Sequence, residues 1–296
     1  MTMLKQKIEI SNVALMYFTV RIQSGGRVGT GFFFDFSKKQ DGSLIFLVTN
    51  KHVIAGSDRI SFTIHTKECV HEGEYDELED NIYEVDRPFL EESWGEYLTA
   101  IFHPNEKIDL AFIPVMELLR EIKQTEAIPC IHVLYFEYIP TDEELLTMGP
   151  MEEVAMIGYP AGLIDEENNF PIFRRGYTAT HPYFPYDGKE EFLIDVPTVK
   201  GSSGSPVLGI RKVYKWDDDE KSVTCEERYQ LLGVIYSGYF DKISIESQAD
   251  EENEVNQSTF EISKHLGVAI HAKQLFEGQE YIYEWYYNTR AGYLQD

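Results

Sequence analysis

The sequence predicts an all-β fold, a sandwich or barrel, and three features lead there. Short apolar runs rich in β-branched residues alternate with Gly-rich or polar turns, as in strands joined one after another. The 19 Tyr and 18 Phe often stand beside Val, Ile and Thr, side chains that suit a pleated, half-buried surface. A length of 296 residues allows one large β unit or two smaller ones sharing a core.

Taken in chain order, residues 13–22 form the first run and stop at Ser24-Gly25-Gly26. Gly29-Thr30-Gly31-Phe32-Phe33-Phe34 follows, then a polar turn through Lys38 to Gly42, then a strand over residues 44–49. Residues 68–96 are dense in acid and read as an irregular surface insertion. Strands over 97–102 and 109–115 flank a turn at His103-Pro104-Asn105-Glu106. Residues 116–122 and 141–148 are expected as short helices, the second capped by Thr141. Strand patterning resumes at 154–157 and continues at 177–179, 192–196, 206–210, 229–236 and 267–270. Residues 216–227 read as a hairpin tip and 246–258 as a mobile acidic loop. The aromatic-rich tail, 272–296, is expected to begin with a helix packed on the body.

With 43% hydrophobic and 26% charged residues the composition is that of an ordinary globular protein. The net charge is −25, from 26 basic and 51 acidic residues. Such a chain repels phosphate backbones, so nucleic acid is excluded as a partner. Cys69, Cys130 and Cys225 are sparse, odd in number and without a CxxC pair, which argues against a disulfide framework and against zinc. No HExxH occurs, which argues against a metallopeptidase. Residues 1–10 lack the apolar core of a signal peptide, and no apolar run reaches the roughly 18 residues of a membrane span. The expectation is a soluble, cytoplasmic protein that does not engage a membrane.

The chemistry concentrates in three places. Gly201-Ser202-Ser203-Gly204-Ser205-Pro206 lies between two strands, and its glycines let the backbone turn tightly and approach a bound atom. In acyl transfer such a turn presents a serine hydroxyl and aims the amides of Gly201 and Ser203 at a developing oxyanion. A flexible Gly/Ser linker has the same composition. His52 follows a buried strand, where the core would fix the position of a general base. A capping or core histidine also fits there. Asp109 opens Asp-Leu-Ala-Phe-Ile-Pro-Val; a carboxylate at the mouth of a buried strand needs a partner, and an imidazole N–H is suitable. A turn or capping Asp is the other reading.

The order His52, Asp109, Ser203 is that of chymotrypsin-fold serine peptidases, unlike α/β-hydrolases or subtilisin. Thr49-Asn50-Lys51-His52-Val53 resembles their T-x-x-H segment, Asp109-Leu110-Ala111 their D-I/L-A, and Gly201 to Pro206 their G-x-S-G-x-P. Gly29-Thr30-Gly31-Phe32, Ile157-Gly158-Tyr159-Pro160, Leu266-Gly267-Val268-Ala269-Ile270 and Asp195, eight residues before Ser203, resemble the bacterial HtrA-like branch. The resemblance implies Ser203 as nucleophile, His52 as general base and then acid, and Asp109 as the group holding the imidazole tautomer. The amides of Gly201 and Ser203 would form the oxyanion hole. It also implies two six-stranded antiparallel β-barrels, with a C-terminal helix and long acidic loop insertions. The first barrel would occupy residues 1–117, a linker 118–149, and the second barrel with helix and tail 150–296.

Two positions depart from secreted trypsin-like enzymes. Ser202 replaces the Asp that pairs with a newly cut N-terminus, so an ordered loop or an activating protein partner would have to serve as any switch. Pro197 replaces the Asp that recognises Lys or Arg. A substrate pocket walled by Thr198, Lys200, Tyr236 and Ser237 would take an aliphatic or polar side chain. Gly238 ends the strand 233–238 that would pair with substrate backbone. No room is expected for a PDZ domain after Leu275, so the protease body or a separate protein would deliver substrate. The sequence thus reads as an intracellular serine endopeptidase of proteins or peptides, with no cofactor and no metal. A catalytically silent trypsin-fold protein-binding module is the alternative.

Overall fold

Alternation along the strands sorts the side chains of this protein into three apolar clusters. The computed structural model describes residues 13–38, 42–71, 74–89, 98–217, 221–248 and 255–293. A 3-10 turn at Ala14–Met16 precedes β1 (Thr19–Ser24), β2 (Arg27–Asp35) and β3 (Ile45–Thr49). A one-turn helix α1 (Lys51–Ile54) leads to β4 (Arg59–His71), β5 (Glu74–Pro88), β6 (Ile101–Phe102) and β7 (Ala111–Pro114). Then come α2 (Met116–Gln124), β8 (Ala127–Pro129), β9 (Leu134–Tyr135) and α3 (Asp142–Leu146). The second half holds β10 (Glu153–Gly158), β11 (Ile172–Thr178), β12 (Glu191–Asp195), β13 (Pro206–Asp217), β14 (Ser222–Gln248), β15 (Val255–His271) and α4 (Gln274–Tyr293).

On β2, Phe32 and Phe34 join Phe18, Phe46 and Phe112 in one cluster. Phe33, between them, points the other way to Ile22, Leu47 and Ile113. On β10, Val154 and Met156 meet Phe192, Val207 and Ile235. Ala155 and Ile157 turn back to the first cluster, which also takes Leu208, Val234 and, from α4, Leu275, Ile282 and Tyr286. The two halves therefore share an apolar layer, and the C-terminal helix closes over it as expected. Each fully buried Phe or Leu there contributes about 2–3 kcal/mol, so the layer outweighs any single loop contact in fixing how the halves meet.

The second half is a closed six-stranded barrel, β10-β11-β12-β15-β14-β13. The first is a nine-stranded sheet ordered β5-β4-β1-β2-β3-β7-β6, with β8 added on β4 and β9 on β2. Segment 118–149 supplies β8 and β9 and so does more than link: Leu134 pairs in parallel with Phe34, and Pro129 with Thr66.

Residues 68–71 and 74–88 are strand and not an irregular insertion. β4 and β5 pair from Arg59↔Pro88 out to His71↔Glu74. Phe62, Ile64 and Val85 face the core, while Arg59 on the outer face binds Asp86 through two bonds of 2.6 and 2.7 Å. Exposed Glu84 and Asp86 flank buried Val85, so acid sits on both sides of the buried apolar position there and hides the period-two alternation. Likewise Glu246↔Gln257 and Gln248↔Val255 pair, so the ends of the expected loop 246–258 are strand. The remainder of these segments (90–97, 218–220, 249–254) and residues 1–12 lie outside the described residues, as does the Cys69 side chain. Helix α3 carries the expected cap: Thr141 Oγ1 accepts from Glu144 N–H at 3.2 Å, and Glu144 Oε2 accepts from Thr141 N–H at 3.0 Å. Among the described residues no helix is long and apolar enough to cross a membrane.

Candidate active site

The register of β3 on β7 brings two of the expected residues together. Thr49 pairs with Ala111, so the chain leaving β3 and the chain entering β7 lie side by side. Asn50, just before α1, donates from Nδ2 to the Asp109 carbonyl at 2.7 Å. In α1, His52 N–H donates to Asp109 Oδ1 at 3.1 Å, and His52 Nδ1 is hydrogen-bonded to Asp109 Oδ2. Lys51 reaches the carbonyls of Asn105 and Glu106, tethering the loop ahead of Asp109. Burial pulls the Lys51 pKa down, against the charges of Asp109 and Glu106.

Ser203 arrives from the other half, in the turn between β12 and β13. Its Oγ lies 2.9 Å from His52 Nε2. The side chains of Asp109, His52 and Ser203 thus form one hydrogen-bonded chain across the seam between the halves. A carboxylate only accepts, so Nδ1 carries the proton toward Asp109, and Nε2 is left to accept from the serine hydroxyl. The imidazole is 48% exposed and the carboxylate 24%, an accessible base held by a largely covered partner.

The turn that carries Ser203 needs its glycines. Gly201 and Gly204 have φ of +91° and +86°. A Cβ on Gly201 would lie 2.4 Å from the Tyr159 carbonyl oxygen. Within the turn, Ser202 N–H donates to Val199 O, Gly204 N–H to Ile235 O, and Ser205 N–H to Ser202 O. The amides of Gly201 and Ser203 have no acceptor among the described residues. Each belongs to a peptide whose carbonyl is tied: Lys200 O accepts from Ala161 N–H at 2.5 Å, and Ser202 O from Ser205 N–H at 3.0 Å. In a trans peptide the N–H points opposite to the C=O, so each tie turns its amide away from the group that holds the carbonyl. Ser202, uncharged and buried, accepts from Val199 N–H through its hydroxyl at 3.3 Å and braces the turn locally.

Thr198, Lys200, Tyr236, Ser237 and Gly238 come together around a cleft of about 190 Å³ that Ser203 also borders. Phe240 joins the wall, following Tyr236 and Gly238 at alternate positions of β14. Thr198 forms the floor. A Cβ on Gly238 would meet its Oγ1 at 2.1 Å, and one on Gly267 its Cγ2 at 2.7 Å, so its side chain fills the gap between two glycines. Behind it, the Pro197 carbonyl accepts from Arg174 Nη1 at 2.5 Å, placing a guanidinium there and not a carboxylate. The Tyr236 hydroxyl donates to Glu191. Burial and that acid raise its pKa well above the ordinary range, so it stays a neutral donor. Asp195 ends β12 exposed, paired through its backbone with Leu266. Asn50 and Ala161 have no distinct sequence signal: one looks like any N-cap, the other like any residue of a turn.

A family model, that of the trypsin-like peptidase domain, matches residues 29–211. No curated protein sequence matches the chain. Among solved structures, the inactive form of the Rv3671c protease of M. tuberculosis is similar at 17% identity, covering 91% of each chain with a TM-score of 0.40. A scabies mite inactivated protease paralogue, S-I1, is 12% identical over 94% of this chain and 98% of that one, with a TM-score of 0.43. A thermostable serine protease, AL20, from an extremophilic microorganism is 11% identical over 91% and 97%, also with a TM-score of 0.43.

Proposed function

The chain belongs to the trypsin-like peptidase domain family, and from that premise we propose that it is an active serine endopeptidase working through Ser203, His52 and Asp109. The observation that carries this reading is the hydrogen-bonded chain ending at Ser203 Oγ, 2.9 Å from His52 Nε2. Ser203 Oγ attacks the scissile carbonyl and passes its proton to Nε2, and Asp109 stabilises the imidazolium. The amides of Gly201 and Ser203 receive the oxyanion. His52 then protonates the leaving amine, and water repeats the sequence on the acyl-enzyme. The test is intact and peptide mass spectrometry after treatment with a fluorophosphonate. The expected result is one adduct, on Ser203. A folded protein that acquires none would instead be a silent binding module of the same fold.

Substrate is held as an added strand. Beyond Val234, β13 no longer pairs with β14, which leaves that edge of Tyr236 to Gly238 open to a peptide backbone. The Thr198 floor and the guanidinium behind it favour a small uncharged side chain at the cleaved residue and disfavour Lys and Arg. Thr198→Gly is expected to raise kcat/KM for Phe or Leu relative to Ala by about tenfold or more, read on a panel of chromogenic peptides. An unchanged ratio would mean that Thr198 is not the floor. Cys130 Sγ donates to the Ile128 carbonyl at 3.7 Å and Cys225 is exposed, a use of thiols that suits a reducing, cytoplasmic setting. The proposed partners are peptide or protein substrates and an activating protein.

A further inference from the structure

We infer that Thr30, on the half of the molecule that carries His52, is the positioning residue for the turn that carries Ser203. This rests on the peptidase reading above. Thr30 lies in β2 and is fully buried. Its hydroxyl donates to the Gly201 carbonyl at 3.0 Å. It accepts from Tyr159 N–H at 3.1 Å and lies 3.2 Å from Ser205 Oγ, whose hydroxyl can donate to it. One donor and two acceptor sites are all that a threonine hydroxyl has, and all are used. Its backbone is engaged too: Thr30 N–H donates to the Ser203 carbonyl at 2.7 Å, and the Thr30 carbonyl accepts from Thr49 Oγ1 at 2.7 Å.

These bonds converge on the reacting groups without touching them. The carbonyls of Gly201 and Ser203 are both held by Thr30, and they belong to the same two residues whose amides have no acceptor among the described residues. Tyr159 begins the turn whose Ala161 N–H ties the Lys200 carbonyl. Thr49 stands three residues before His52 at the end of β3. A single residue therefore sets the height of the nucleophile turn against the strand end that carries the base: its backbone reaches Ser203 and Thr49, and its hydroxyl holds Gly201, Tyr159 and Ser205. Phe32 and Phe34 anchor the same strand in the shared core, so β2 cannot follow the turn if the hydroxyl is lost.

Thr30→Val keeps the shape and removes the hydroxyl. It is expected to lower kcat about 100-fold with KM changed less than about threefold, the size of effect that a small misplacement of reacting groups produces. Thr30→Ser, which keeps the hydroxyl, should return kcat to within about threefold of wild type. Ser24→Ala is the stability control: it removes a buried bond to the Arg59 carbonyl in the same sheet, away from the turn, and should leave kcat unchanged at a similar loss of Tm. If Thr30→Val does not fold, Thr30→Cys, with its weak donor, takes its place under the same expectation. Backbone amide exchange at Gly204 and Ser205 reads the turn without turnover and should accelerate at least about tenfold in the valine variant. The assignment is overturned if kcat of the folded variant stays within threefold of wild type, if serine does not rescue it, or if Ser24→Ala loses as much. Unchanged exchange at Gly204 and Ser205 overturns it as well. A wild-type protein that hydrolyses nothing would sink the peptidase reading alone, and amide exchange would still decide the role of Thr30.

Discussion

Asp109→Asn is expected to lower kcat about 10⁴-fold with little change in fold or Tm. The size follows from two bonds seen together. Asp109 Oδ1 accepts from the backbone N–H of His52 at 3.1 Å, and Oδ2 accepts from the ring Nδ1. An asparagine has one oxygen, and the fixed backbone donor claims it. The amide NH₂ then faces Nδ1, which must become the acceptor, so the ring proton moves to Nε2. That nitrogen faces Ser203 Oγ and can no longer take its proton. The packing barely changes, because Asn matches Asp in shape and Asn50 still holds the Asp109 backbone. Steady-state kinetics on a peptide or ester substrate, with a melting curve alongside, checks this. Activity within tenfold of wild type would show that Asp109 does not set the tautomer.

Gly204→Ala is expected to cost about 3–5 kcal/mol and to lower Tm by roughly 10 °C or more. Two penalties add. A left-handed backbone costs a non-glycine residue about 1–2 kcal/mol. The new methyl would also lie 1.9 Å from the Thr30 carbonyl oxygen and 2.8 Å from Thr49 Oγ1. Thr30 is backbone in a buried strand, so the turn must lift away, taking Ser203 from His52, and activity should go with stability. Gly26→Ala separates the two penalties. Its φ is +74°, yet nothing lies within 4 Å of the added carbon, so it should show only the conformational cost. Differential scanning calorimetry of both variants checks the pair. Equal melting temperatures would refute the close approach at Gly204.

Much of this site is legible in the chain itself. His52, Asp109 and Ser203 are each ambiguous alone, and their order and flanking segments make them a set. Thr198, Lys200, Tyr236, Ser237 and Gly238 are also marked, by their placement before Ser203 and on the strand 233–238, and they border one cleft. Other features are hidden for identifiable reasons. Residues 74–88 look irregular in sequence because the exposed acids Glu84 and Asp86 flank Val85, the buried apolar residue between them. Segment 118–149 looks like a linker because β8 and β9 are three and two residues long, too short for a periodic signal.

What the sequence by itself determined is the β character, the C-terminal helix, the family and the residue types able to do acyl chemistry. These are encoded locally, in two-residue alternation, turn glycines and short ordered motifs. Only the tertiary structure decided how those residues meet. The strand register lays Asp109 beside His52, the shared apolar layer brings in Ser203, and Thr30 ties the turn down. Such facts depend on bonds between residues from 57 to 171 positions apart, whose partners are chosen by packing and not by neighbours in the chain.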